Sequence, residues 1–275
     1  MTENGPEMTA DPGDVVFLHG WCGHGDEVEG IRSAFSGRVL APSWMPAPGS
    51  FDLESWPLPA DRGIGEAERA MRAFADDALE GVRRTIVDAG FVGATIVGHS
   101  LGGCMACVLA NDPMLAIPRV VLLDSSVPMP VDRRDAMVER MIAWVDRAAT
   151  GGRLVAQAGW IADASSWVPD LFNLEDQGAA RLRIERRFMF APVVEAALTV
   201  AGGMQWPITE AIGSLPGEVH GLAGDPTRMP VDDLRAVRPE ARIEILEGTG
   251  HFAHVLAAER TRTWLVHGPL RPPAS

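Results

Sequence analysis

The chain contains no lysine and no tyrosine, and all 24 of its permanently basic side chains are arginines. Without lysine, Schiff-base and pyridoxal chemistry are excluded, and so is a phosphate-binding P-loop, which places a lysine beside the phosphates. No uninterrupted apolar run approaches the roughly 20 residues that span a bilayer. We therefore expect no membrane partner.

Cysteine is also scarce, and the three present cannot form a disulfide framework. Cys104 and Cys107 fall in a segment expected to be a buried helix, so we interpret them as small core residues. The net charge of −13, without any basic stripe, argues against a nucleic-acid partner. Residues 1–13 lack the basic and apolar regions of a signal peptide, which predicts a flexible tail and a cytoplasmic location.

Short apolar runs rich in β-branched residues alternate with longer segments of helical period. The predicted strands are 15–18, 38–41, 94–97, 120–123, 218–222 and 243–246, and the predicted helices include 66–89 and 101–111. This alternation is typical of an α/β fold. It predicts a mostly parallel sheet of about six or more strands with helices on both faces.

The strand pattern stops between about residues 128 and 214. Helical stretches such as 134–149 and 178–200 take its place. We interpret 128–214 as a helical cap inserted into a core made of residues 14–127 and 215–275. The absence of repeats and of low-complexity linkers favours one cooperative domain.

The sequence Gly98-His99-Ser100-Leu101-Gly102 lies between a predicted strand and a predicted helix. In that context G-x-S-x-G is typical of a sharp strand-to-helix turn that presents its serine at the edge of the sheet. The glycines are needed because such a turn leaves no room for side chains. Ser100 is therefore the candidate nucleophile.

A serine hydroxyl needs a base, and His251 follows the last predicted strand, in a loop that can return an imidazole to the sheet edge. An oxyanion hole needs two backbone N–H groups. Leu101, directly after the serine, is one candidate. Trp21, after the first strand and next to the permissive Gly20, is the other.

Together, the strand followed by His-Gly-Trp, the Gly-His-Ser-Leu-Gly-Gly turn, the helical insertion and the late Gly-His-Phe resemble the α/β-hydrolase fold superfamily. The resemblance implies a third member of the triad, an acid, after one of two strands. Asp124 and Asp225 both qualify. We favour Asp124, because Thr227 occupies the position that the commoner pattern after the later strand gives to the acid. In either case the carboxylate would hold the tautomer of His251.

The candidate substrate pocket comprises Trp21, His24, His99 and Trp160. Trp160 belongs to the predicted cap, and tryptophans there would suit a flat, apolar substrate. No histidine–carboxylate spacing resembles a zinc or iron site, so we expect no metal and no organic cofactor.

The leading hypothesis is a hydrolase that cleaves a small apolar or aromatic ester, thioester or lactone through Ser100. An alternative comes from the Gly-Trp-Cys loop and the acid at Asp124, which also resemble cofactor-independent dioxygenases that cleave 3-hydroxy-4-quinolone rings. In those enzymes a histidine directly follows the cysteine, whereas here Gly23 precedes His24. A catalytically silent ligand-binding relative is a third possibility. Monomer and homodimer both remain open.

Overall fold

Six strands form one parallel sheet in a computed structural model of the chain, in the order β2-β1-β3-β4-β5-β6. The structure describes residues 13–60, 62–63, 65–125, 130–172, 178–224 and 229–268. The strands are β1 Val15–Leu18, β2 Val39–Leu40, β3 Thr95–His99, β4 Arg119–Leu123, β5 Glu218–Ala223 and β6 Arg242–Ile245. The predicted parallel α/β sheet is confirmed.

The central strands are apolar on both faces because both faces of the sheet are covered. In β1, Val16 and Leu18 pack into a large core, whereas Val15 and Phe17 pack into a smaller core on the other side. The smaller core includes Trp264 of the C-terminal helix. This two-sided burial explains why the strands read as continuous apolar runs.

Ten α-helices lie in the described part of the chain. They are α1 Glu66–Asp88, α2 Leu101–Leu109, α3 Val131–Gly151, α4 Arg153–Trp167, α5 Ala179–Met189, α6 Val193–Gly203, α7 Ile208–Gly213, α8 Val231–Val237, α9 Ala253–Leu256 and α10 Ala258–His267. None of the described helices combines the length and the hydropathy of a membrane span.

The strand order reverses next to β1. The chain places β2 on one side of β1 and then crosses to place β3 on the other side. In open parallel sheets, ligands bind outside the carboxyl ends of the strands at such a reversal. The loops that follow β1 and β3 are those that carry Trp21 and Ser100.

The helices α3 to α7 all lie between β4 and β5, in the segment predicted to be helical. All eleven residues of α6 are buried, and this helix packs closely against α1. A Cβ at Gly202 would lie only 2.0 Å from the carbonyl oxygen of Met71. The domain boundaries given above stay a prediction.

One local prediction in this segment was wrong. The stretch 178–200 is not one helix, because α5 ends at Met189 and α6 begins at Val193, directly after Pro192. Proline fits the start of a helix but not its interior. The helix α4 was not named separately within the predicted helical segment, and its Ala-rich sequence has weak amphipathic periodicity.

Candidate active site

Ser100 lies in the turn between β3 and α2 with φ 52° and ψ −121°. A positive φ is uncommon for a residue other than glycine, and it is the strained geometry expected of a nucleophile turn. The backbone N–H of Ser100 donates to the carbonyl oxygen of Leu123 at 3.1 Å, which fixes the turn to the end of β4. The Ser100 residue is partly exposed, so its hydroxyl can meet a substrate.

The turn depends on its flanking glycines. A Cβ at Gly98 would lie 2.5 Å from the carbonyl oxygen of Gly102, and a Cβ at Gly102 would lie 2.2 Å from the carbonyl oxygen of Leu18. Both contacts are with backbone, which cannot move away as a flexible side chain can. Glycine at these positions therefore allows α2 to pack directly on β1 and β3.

His251 and Asp124 meet at the carboxyl end of the sheet. Nδ1 of His251 donates to Oδ2 of Asp124 at 2.5 Å, and both side chains are buried. The other carboxylate oxygen, Oδ1, accepts from the backbone N–H of Gly224 at 2.8 Å. Asp124 itself has φ 44°, just beyond the end of β4. A short, charge-assisted bond of this kind fixes the imidazole tautomer and leaves Nε2 of His251 as the basic nitrogen.

His251 is held by its backbone as well as by its ring. Its N–H donates to the carbonyl oxygen of Leu171, at 3.2 Å. Its carbonyl oxygen accepts from Nε2 of His99 at 2.9 Å. Among the described residues, the structure records no hydrogen bond between the Ser100 hydroxyl and His251. Such bonds are often loose without substrate.

The loop after β1 packs closely against the nucleophile turn. A Cβ at Gly20 would lie 2.8 Å from Nδ1 of His99 and 3.0 Å from Cβ of Ser100. The next residue, Trp21, donates through Nε1 to the carbonyl oxygen of Ala196 at 3.0 Å, which ties this loop to α6. Leu101 is the first residue of α2, so its N–H has no acceptor within the helix.

A cavity of about 260 Å³ opens at this point. It brings together Ser100, His251, Trp21 and Leu101, which are four of the residues predicted for the site. The predicted pocket residues His99 and Trp160 line it too. The volume is close to the lower end of the range for small-molecule sites, so it suits a small ligand.

Aromatic rings form much of the cavity wall. Trp21 and Trp167 stack with 2° between their planes and 6.0 Å between centroids. Trp160 and Phe188 each meet Trp21 edge to face. The indole N–H of the fully buried Trp160 donates to the carbonyl oxygen of Phe188 at 2.7 Å. These contacts make a rigid apolar wall.

Burial keeps two other groups of the cavity in their neutral forms. It raises the pKa of the Cys104 thiol to about 12, so this cysteine is not a nucleophile at neutral pH. Burial also holds the pKa of His99 well below its ordinary value. Of the two histidines that line the cavity, His251 is therefore the candidate base.

The structure does not place His24, another residue predicted for the substrate pocket, on this cavity. The loop turns away at Cys22, which has φ 58°, and His24 then caps the short 3-10 helix Gly25–Gly30. His24 instead lines a neighbouring groove with Arg186 and Phe190. The alternative acid Asp225 lies outside the described residues.

Several residues of the cavity wall were not expected from the sequence: Phe188 and Phe252, together with Met137, Met141 and Met204. Trp167, one of the tryptophans of the predicted cap that would suit a flat substrate, lines the cavity too. These residues come from α3, α4, α5 and the segments that follow α6 and β6. No local motif joins them, because they meet only through the packing of separate helices. The solvent-exposed Arg133 and Arg140 of α3 also border the cavity.

The model of the alpha/beta hydrolase family matches residues 15–263. The chain belongs to this family. The match spans the sheet, the helical segment and all the site residues described above. No curated protein sequence matches this member of the family significantly.

Many solved structures share the fold. MenH from S. aureus is 16% identical, with a TM-score of 0.64 over 93% of this chain and 92% of its own. A thermophilic esterase from Thermogutta terrifontis is also 16% identical, with a TM-score of 0.67 over 92% and 88%. The enol-lactonase from Burkholderia xenovorans LB400 is 13% identical, with a TM-score of 0.66 over 97% and 92%. At these low sequence identities, the similarity shows a shared fold and nothing more specific.

Proposed function

We propose that this family member is a serine hydrolase that cleaves a small apolar or aromatic ester, thioester or lactone. The observation that carries the proposal is that Ser100, in its strained turn, shares one cavity with His251, whose ring is bonded to Asp124 at 2.5 Å. This arrangement meets the requirements for an activated serine: a nucleophile, a base and a group that orients the base.

The reaction follows from these positions. Nε2 of His251 takes the proton of Ser100 as its oxygen attacks the substrate carbonyl, and Asp124 stabilises the imidazolium. The N–H groups of Trp21 and Leu101 would bind the oxyanion. His251 then gives the proton to the leaving group, and an acyl-enzyme remains. Water, activated by His251, releases the acid and restores Ser100.

The apolar wall supports the proposed substrate class. The rings of Trp21, Trp160 and Trp167 offer flat contact surfaces, and the cavity of about 260 Å³ limits the size of the acyl group. An esterase and an enol-lactonase among the structures of the same fold agree with carbonyl chemistry. A cytoplasmic location and a monomeric or homodimeric state stay predictions.

Active-site labelling tests the proposal. Intact-mass analysis after treatment with a fluorophosphonate should show one adduct on the native protein and none on Ser100→Ala. His251→Ala should slow labelling by roughly 10³-fold or more, because the base is lost. The exposed Ser165→Ala and His267→Ala variants are the matched controls and should label like the native protein.

A second candidate function is supported by the buried His251–Asp124 pair next to an aromatic wall. In the alternative suggested by the sequence, this pair would deprotonate a 3-hydroxy-4-quinolone, which then reacts with dioxygen without a cofactor. Ser100 would only position the substrate. Oxygen uptake that survives Ser100→Ala but is lost in His251→Ala would favour this candidate over the hydrolase.

A further inference from the structure

A second cluster of polar side chains is buried beside the His251–Asp124 pair. It contains Glu27, His99 and His254, and all three are at most 2% exposed. Glu27 follows β1, His99 ends β3, and His254 lies in α9, shortly after His251. The His99 ring centroid is 4.3 Å from that of His254 and 4.7 Å from that of His251. The hydrolase mechanism needs no acid–base chemistry from this cluster.

The donor atoms of the cluster are closely grouped. One nitrogen from each histidine and one carboxylate oxygen of Glu27 all lie within 4.8 Å of one another. Nε2 of His254 is 3.4 Å from Oε2 of Glu27. That separation is long for a hydrogen bond. It equals the spacing of about 3.4 Å between two ligand atoms that a tetrahedral zinc ion binds at about 2.0–2.1 Å.

At least one imidazole nitrogen in this buried region carries a lone pair that no described residue uses. Nε2 of His99 donates to the carbonyl oxygen of His251, so its Nδ1 carries the lone pair. Neither this Nδ1 nor Nδ1 of His254 has a hydrogen-bond partner among the described residues. Buried polar atoms without partners are rare, and an ion is one of the ordinary reasons for them.

The surroundings orient the carboxylate of Glu27. Its Oε1 accepts from the backbone N–H of His24 at 3.2 Å and from Arg187 of α5, also at 3.2 Å. Arg187 also forms an ion pair with Asp26, with 2.8 Å between Nη2 and Oδ2. Oε2 of Glu27 is thereby turned toward His254. Support of this kind around a ligand is typical of metal sites.

We propose that Glu27, His99 and His254 form a binding site for a divalent transition-metal ion such as Zn²⁺. Two imidazoles and one carboxylate are an established zinc ligand set. The ion ties together three elements: the 3-10 helix Gly25–Gly30, the end of β3 and α9. Its role is structural, and no step of the hydrolase reaction passes through it. No local sequence pattern indicates this site, because its ligands lie 72 and 155 positions apart.

Metal titration of the whole chain tests this site. After chelator treatment and dialysis, the protein should take up about one equivalent of Zn²⁺, measured by calorimetry and by elemental analysis. At roughly 100 times the dissociation constant, Zn²⁺ should raise the melting temperature by about 5 °C or more. Co²⁺ should give visible absorption bands of a low-coordinate nitrogen–oxygen site.

Variants distinguish this site from binding at the surface. Glu27→Gln and His254→Gln should each lose the Co²⁺ bands and the thermal shift, whereas His220→Gln, a buried histidine on β5, should keep both. Variants with native binding stoichiometry would overturn the proposal. If Glu27→Gln fails to fold, the native protein still tests the proposal. A native protein that shows no Co²⁺ bands and no thermal shift would overturn the proposed metal site.

Discussion

The exchange of Asp124 for asparagine is the most informative perturbation of the candidate site. An asparagine would keep the size of the side chain, and it tolerates the φ of 44° at this position as well as aspartate does. Its amide oxygen can still accept from Gly224, as Oδ1 does at 2.8 Å. The substitution therefore removes the charge and little else, which a change to alanine would not achieve.

The expected loss follows from the contact with His251. The carboxylate accepts from Nδ1 at 2.5 Å, so it fixes the tautomer that leaves Nε2 basic. An asparagine amide can instead donate to Nδ1, which places the ring proton on Nε2 and blocks the base. The same exchange in serine proteases lowers kcat by about 10⁴-fold, or about 5 kcal/mol of transition-state stabilisation.

Steady-state kinetics on an ester substrate should show a fall of about 10³- to 10⁴-fold in kcat for Asp124→Asn, with KM changed less than about tenfold, because the cavity wall is intact. Asp225→Asn is the matched control, since it removes the only other acid proposed for the triad. If Asp225→Asn abolishes turnover while Asp124→Asn retains it, the assignment of the acid is wrong. A native circular-dichroism spectrum and melting curve for each variant exclude unfolding as the cause.

Two further predictions concern stability. Burial lowers the pKa of His19 from 6.5 to about 4, so the unfolded chain binds more protons than the folded one between these values. Acidification from pH 7 to pH 5 should then lower the free energy of unfolding by about 2 kcal/mol. Urea titrations of His19→Gln at the two pH values should not show this decrease. Gly202→Ala should destabilise by about 2 kcal/mol or more in the same assay, because its Cβ would lie 2.0 Å from the Met71 carbonyl oxygen. Gly81→Ala, where the space is open, should instead stabilise by about 0.5–1 kcal/mol.

The sheet was predictable from the sequence to within about one residue at most strand ends. Buried parallel strands are short apolar runs. In this chain β3 ends at His99 and Asp124 directly follows β4, and both are residues of the candidate site. The polar residue that ends each apolar run therefore indicates both the end of the strand and a candidate site residue. Glycines 98 and 102 added a second signal, because the tight turn allows no side chain there.

The cavity wall could not be predicted in the same way. The cap tryptophans Trp160 and Trp167 were expected to suit a flat substrate, but Phe188 and Phe252 were not identified, since each is an ordinary apolar residue in its own segment. His24 was placed in the pocket by its position one residue beyond the Trp-Cys-Gly run. Cys22 has a positive φ, which redirects the loop. Sequence patterns seldom predict a positive φ for a residue other than glycine.

The loops of the candidate site are joined through one residue that the hydrolase mechanism does not require as an acid or a base. His99 donates to the carbonyl oxygen of His251, and its Nδ1 lies so close to Gly20 that a Cβ there would be 2.8 Å away. The ring thus sets the distance between the Trp21 loop, the serine turn and the loop of the base. Burial holds the pKa of His99 well below its ordinary value, so the ring holds this spacing as a neutral imidazole. A bulkier or charged residue at this position would move the nucleophile and the base relative to each other, so we interpret the histidine of the Gly-His-Ser turn as a spacer between them.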